Sequence, residues 1–154
     1  REHWKHNFDL GMLVPADLIL WFGNQMVSHS HGSIINIATM YALVAPSPLL
    51  YQGTDMMNPP AYGAAKAGLI AFTRYVASFW GQYGVRCNAI CPGPFPKSVN
   101  ADNQEFVSRL EERTCLRRVG KPDDLAGLVL LLASEAGSYI TGQAISVDGG
   151  WCVT

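Results

Sequence analysis

The sequence predicts an α/β fold: a parallel sheet with helices on both of its faces. Three observations carry this. Segments with a helical apolar period alternate with short strand-like runs, in the order helix, strand, helix, strand, helix, helix, strand. The strand-like runs are continuous and apolar, as in buried parallel strands. No internal repeat, charge block or linker interrupts the alternation.

The first helix is expected over 9–27, where Leu18, Ile19, Trp21, Phe22 and Met26 form an apolar face. Residues 29–32 read as a loop, and "SIINIAT", 33–39, as a buried strand because of its β-branched run. A long irregular segment with four prolines follows. The second helix is expected over 60–80, with Pro60 in its first turn and Asn58 as a nearby cap. Ala65, Leu69, Phe72, Val76 and Phe79 recur along it, and Gly81 and Gly84 close it. "VRCNAIC", 85–91, reads as the next strand, stopped by "PGP". A polar helix is expected over 102–113. Another, over 121–134, carries Pro122 in its first turn and Asp123 and Asp124 at the positive end of its dipole. Its apolar run is too continuous for one wet face, so it is expected to be well buried. "AISVDGG", 144–150, is the last expected strand.

With 154 residues, 49% hydrophobic and 15% charged, the composition is that of one globular domain with a real core. A net charge of −1 gives no electrostatic case for nucleic acid or an anionic membrane. The longest apolar run, 10–22, holds Pro15 and Asp17 and is too short to span a bilayer. No signal peptide is visible. Cys87, Cys91, Cys115 and Cys152 form no CxxC and read as reduced thiols of a cytoplasmic protein. His3, His6, His29 and His31 lack ligand spacing and read as surface residues, so no metal site is expected.

The chemistry concentrates in "YGAAKAG". Tyr62 and Lys66 are four apart on a helix, so both side chains share one face. An ammonium beside a phenol favours the phenolate and makes the tyrosine a workable proton donor and acceptor. The small residues around the pair leave room for something large and flat to approach. Taken alone, the spacing more often marks a solvated helix face. Its company separates the two readings. The pair follows a strand ending "NIAT" and precedes one ending "NAICPG", and the chain closes on "YITGQAISVDGG".

In this order and spacing, over residues 4–150, the chain resembles the C-terminal part of a short-chain dehydrogenase/reductase. The resemblance implies the C-terminal part of a Rossmann-like doubly wound parallel sheet, with 1–154 forming a single partial domain. It implies that Tyr62 is the catalytic acid/base and that Lys66 holds the nicotinamide ribose and depresses the tyrosine pKa. It implies that Thr39 hydrogen-bonds the substrate oxygen and that Pro92 and Gly93 run beside the nicotinamide of NAD or NADP. "YITGQ" and "VDGG" correspond to the family's structural signatures. "NIATMYALVAP", "YQGTDM" and "PPAYGAAKAG" resemble a bacterial subgroup linked to flagellar and surface sugars. That likeness implies a small-molecule substrate, a sugar or nucleotide sugar, with the "YQGTDM" insert near the substrate mouth. The alternatives are a 3-oxoacyl thioester reductase, or a non-catalytic remnant acting as a dimerisation or binding module.

The chain also departs from the family. No G-x-G-x-x-G occurs in it, so the loop that holds the pyrophosphate in a dinucleotide fold is expected upstream of Arg1. Thr39 replaces the usual serine, keeping the hydroxyl but stiffening χ1. Gly11 stands where the family's first helix carries an asparagine, Asp17 is odd on an apolar stretch, and Ser98 is the nearest hydroxyl to a usual carboxamide contact. The residues are therefore expected to be part of a longer gene product. The strand around Ile35 would then expose an apolar edge. The resemblance further implies a homodimer or homotetramer formed through the helices near 9–27 and 60–80.

Overall fold

The computed structural model describes residues 1–96 and 103–154. The Ser98 contact and the start of the 102–113 helix lie outside them. The first helix begins earlier than its apolar period indicated, because Trp4 and Phe8 stack one turn apart and Lys5 pairs with Asp9. Helix α1 (Glu2–Phe8) runs through a π-helical turn (Asp9–Leu13) directly into α2 (Val14–Ser28). The continuous rod, Glu2–Ser28, has 27 residues, and an 18-residue stretch within it has a mean hydropathy of 1.3, so by length and composition it could cross a membrane, which the apolar run 10–22 alone did not indicate. Here it packs on a second long helix, α3 (Pro60–Trp80).

Three parallel strands lie in the order β1 (Gly32–Ile37), β2 (Val85–Pro92), β3 (Ala144–Val147). Gly32 pairs with Val85 and Ile37 with Ile90; Ala89 pairs with Ala144 and Pro92 with Val147. The central strand is buried nearly throughout, as its apolar run predicts. β1 was expected to be buried, but it is an edge strand and only Asn36 in it is buried. The edge itself was foreseen for the segment around Ile35. The last strand stops at Val147, because Asp148 turns the chain by accepting the N–H groups of Gly150 and Cys152.

Period-two alternation sends side chains to two covered faces. On one face, Ile34 and Cys87 meet Ile19 of α2 and Leu69, Val76 and Ala77 of α3. Burial pushes the Cys87 thiol up to about 12. All four cysteines are free. On this face Asn36 donates to Thr73 Oγ1 (2.9 Å), which donates in turn to Leu69 O, a buried polar chain tying β1 to α3. On the other face, Ser33 and Arg86 both donate to Leu132 O in α5 (Asp123–Ala133). That helix was expected to be well buried; only Leu132 is, and Leu130 is 68% exposed. It packs on β1 at the edge of a sheet only three strands wide, so most of its apolar surface extends past cover. A second core joins Met40, Leu50 and Trp151 to Phe106 and Leu110 of α4 (Gln104–Arg113).

Candidate active site

The site forms at the carboxyl ends of β1 and β2. Thr39 sits just beyond β1 in extended backbone, and its Oγ1 accepts the Tyr41 N–H at 3.4 Å, capping a short 3₁₀ turn (Met40–Ala42). The hydroxyl hydrogen stays available to a ligand. α3 starts at Pro60, which supplies the first-turn φ but needs no N–H partner. Asn58 makes no cap; it lines the cleft instead. Tyr62 therefore stands in the first turn of α3, facing the end of β1.

Backbone proximity holds these elements together. A Cβ on Gly63 would meet Tyr41 O at 2.7 Å, so the turn after Thr39 lies directly on the start of α3. A Cβ on Gly93 would meet the Asp148 Cα at 2.5 Å, and the Gly93 N–H donates to Val147 O. The loop after β2 thus lies against the turn after β3.

Lys66, one turn beyond Tyr62, donates from Nζ to Ile37 O at 2.7 Å. Burial lowers its pKa below the ordinary lysine value. The carbonyl bond fixes the ammonium at the end of β1 and uses one of its three donors.

An open cleft of about 690 Å³ collects Thr39, Tyr62 and Gly93 on one wall. Lys66 and Pro92 are not on its lining: the first is drawn to Ile37 O, and the second is the last residue of β2. Of three further contributors, Asn7 and Phe95 have no sequence signal, while Asp55 lies in the "YQGTDM" insert expected near the substrate mouth. Asn7 lines the cleft from α1, with its amide donating to His3 O. Gly11, one turn later, faces away: a Cβ there would meet the Ala65 Cβ at 3.0 Å. It is the close-contact point between the rod and α3. Asp55 comes from the irregular connection, and Phe95 from the loop after β2. Tyr41 is joined to Tyr51, whose hydroxyl donates to it at 3.2 Å, and its ring meets Trp151 edge-on. Burial, first, and the Tyr51 contact raise the Tyr41 pKa, so it stays a neutral phenol.

"NAICPG" and "YITGQ" do structural work. Asn88 of β2 donates to Ile140 O and accepts the Gln143 N–H, and Thr141 Oγ1 accepts the Cys87 N–H. These bonds lead the chain into β3.

A family model described as enoyl-(acyl carrier protein) reductase matches residues 1–152. The chain belongs to the short-chain dehydrogenase/reductase family. Among curated dehydrogenases of this kind, it is 37% identical over 127 residues to a 7α-hydroxysteroid dehydrogenase of Bacteroides fragilis, covering 81% of this chain and 45% of that one. It is 38% identical over 133 residues to an L-rhamnose 1-dehydrogenase (NAD(P)(+)) of a Sphingomonas species, covering 84% and 48%. Its fold superposes with a TM-score of 0.85 and 26% identity on a gluconate 5-dehydrogenase of Burkholderia cenocepacia solved with NADP and tartrate, over 100% of this chain and 58% of that one. The chain spans about half the length of the curated short-chain dehydrogenases it matches. The doubly wound, helix-covered parallel sheet of the family is the architecture seen here.

Proposed function

We propose that this chain is the catalytic, C-terminal part of an NAD- or NADP-dependent dehydrogenase acting on an alcohol or carbonyl carbon of a small polar substrate, a sugar or polyol. One observation carries the reading: Thr39 and Tyr62 share one cleft, while Lys66 is tied to the strand end beside them by a 2.7 Å bond. The L-rhamnose 1-dehydrogenase among its relatives supports the substrate class.

The residues present suit the nicotinamide end of such a cofactor. Gly93 brings bare backbone to the cleft lining, and Lys66 keeps donors for ribose hydroxyls. Pro92 and Gly93 would border the nicotinamide, Gly93 from the cleft lining itself. The bound cofactor supplies or takes the hydride. The remaining chemistry belongs to the chain. Thr39 donates to the substrate oxygen and orients it. Tyr62 passes a proton to that oxygen in reduction and removes one in oxidation. Phe95 and Phe106 on the cleft lining limit water.

We place the protein in the cytoplasm, in keeping with four free cysteines. We further propose that it pairs with a second copy through the outer faces of α2 and α3, where Trp21 and Phe79 are exposed.

The test is turnover by the complete protein with NAD and NADP against sugars, polyols and 3-oxoacyl thioesters. Tyr62→Phe is expected to lower kcat by roughly 10²–10⁴-fold while cofactor affinity holds. Turnover confined to thioesters moves the assignment to thioester reduction. An inactive wild-type protein that still dimerises marks a non-catalytic module.

A further inference from the structure

The cleft has a chemical bias of its own. Its polar lining consists of the hydroxyls of Thr39, Tyr41, Tyr51 and Tyr62, the amides of Asn7 and Asn58, and one carboxylate, Asp55. Among the described residues no lysine, arginine or histidine lines it. Among the described residues, the neighbouring cations are engaged elsewhere. Lys66 is on Ile37 O, and Arg113 lies over the Trp151 ring at 4.9 Å. Arg109 of α4 donates to Leu50 O and Gln52 O and pairs with Glu105.

Asp55 is held in a defined place. Arg109 pins the carbonyls just before it. Thr54 Oγ1 donates to Tyr51 O at 2.8 Å and accepts the Met56 N–H at 3.2 Å, so the residues on both sides of Asp55 are fixed. Among the described residues no hydrogen bond or ion pair engages the Asp55 carboxylate, which keeps its full accepting capacity.

The geometry points to Asp55 as the specificity-determining residue of this cleft. It accepts hydrogen bonds from hydroxyl groups of an uncharged sugar or polyol beyond the reacting carbon, and it rejects substrates carrying a carboxylate or phosphate. A carboxylate acceptor makes the stronger, charge-assisted kind of hydrogen bond to a hydroxyl. The same charge repels an anion that no cation on the described lining offsets. This deepens the proposed function and rests on it: the substrate is the neutral sugar or polyol rather than a sugar acid or nucleoside-diphosphate sugar.

The experiment measures kcat and KM of the complete protein at saturating cofactor. The probes are a neutral hexose or hexitol, the matching aldonic acid, and a nucleoside-diphosphate hexose. Wild type is expected to prefer the neutral compound. Asp55→Asn is expected to raise KM for it by about 10-fold or more, with kcat little changed, and to narrow its preference over the acid by roughly 10–100-fold. Asp55→Glu is expected to restore part of both. An unchanged melting temperature excludes a folding defect, and the altered preference is a readout that a structural role would not move. If wild type favours the acid or the nucleotide sugar, or if Asp55→Asn leaves the preference intact, the assignment of Asp55 is wrong while the dehydrogenase reading stands. If wild type oxidises or reduces no sugar or polyol at all, both fall together.

Discussion

At the scale of single residues the site depends on how Lys66 is held. Its ammonium is half-buried and bound to Ile37 O, and burial lowers its pKa. The sign follows from which form is penalised. Burial disfavours the ammonium, so Lys66 gives up its proton at a lower pH than an exposed lysine does. Native stability therefore gains as pH rises through that window, while any step that needs the ammonium fades there. The kcat/KM profile of the complete protein is expected to fall on its alkaline side below the ordinary lysine range. Lys66→Arg, permanently charged, is expected to remove that limb while lowering the plateau, because a planar guanidinium cannot reproduce the single bond to Ile37 O. A limb that survives in Lys66→Arg assigns it to another group. Tyr62 and Lys66 were legible in the sequence because an i, i+4 relation is local: the helix alone puts both on one face. Thr39 was legible through the family resemblance, which puts a hydroxyl residue at the end of the strand before the pair. Asn7 was not, since it reaches the cleft only through the non-local packing of α1; for Asp55 the sequence placed its segment, "YQGTDM", near the substrate mouth but not the residue. Gly11 was legible as a departure but not in its role, which depends on how closely Ala65 approaches it.

Among the elements, the connection over 40–58 carries the most information that its composition hid. Its prolines and glycine read as irregular, yet it folds into two 3₁₀ turns, Met40–Ala42 and Pro48–Tyr51. Met40 and Leu50 bury against Phe106, Leu110 and Trp151, and the Tyr51 ring lies beside that of Phe106. Arg109 closes the connection onto α4 by donating to two of its carbonyls. Hydrogen bonds from a charged donor contribute about 1.5–3 kcal/mol. Arg109→Ala is expected to lower the melting temperature by a few degrees and to speed proteolysis within 46–58. It is also expected to raise KM more than it lowers kcat, because Asp55 and Tyr51 lose their placement while Thr39, Tyr62 and Lys66 keep theirs. Limited proteolysis followed by mass spectrometry tests this. An Arg109→Ala protein that resists cleavage as the parent does removes Arg109 from that role.

For the whole molecule, the governing fact is a sheet of three strands beneath helices that a wider sheet would cover. β1 is an edge, α5 extends past it, and the outer faces of α2 and α3 show Trp21 (65% exposed) and Phe79 (53% exposed) to solvent. Tyr75 stacks between Phe72 and Phe79, giving α3 a continuous aromatic strip. Contiguous apolar surface of this kind favours association. Trp21→Glu combined with Phe79→Glu is expected to convert the complete protein to a monomer in sedimentation velocity at micromolar concentration. An unchanged oligomer would move the interface elsewhere. The sequence by itself determined the kind and order of the elements and the Tyr62–Lys66 pair, because period, turn chemistry and helical spacing act over a few residues, and the family through the resemblance carried by its ordered motifs. Only the tertiary structure decided that the predicted buried strand is an edge, that the most apolar helix is largely uncovered, and which side chains from α1, the 40–58 connection and the loop after β2 share the cleft with Thr39 and Tyr62. Those outcomes depend on contacts between residues tens of positions apart and on how much sheet lies beneath each helix, and no local pattern encodes either quantity.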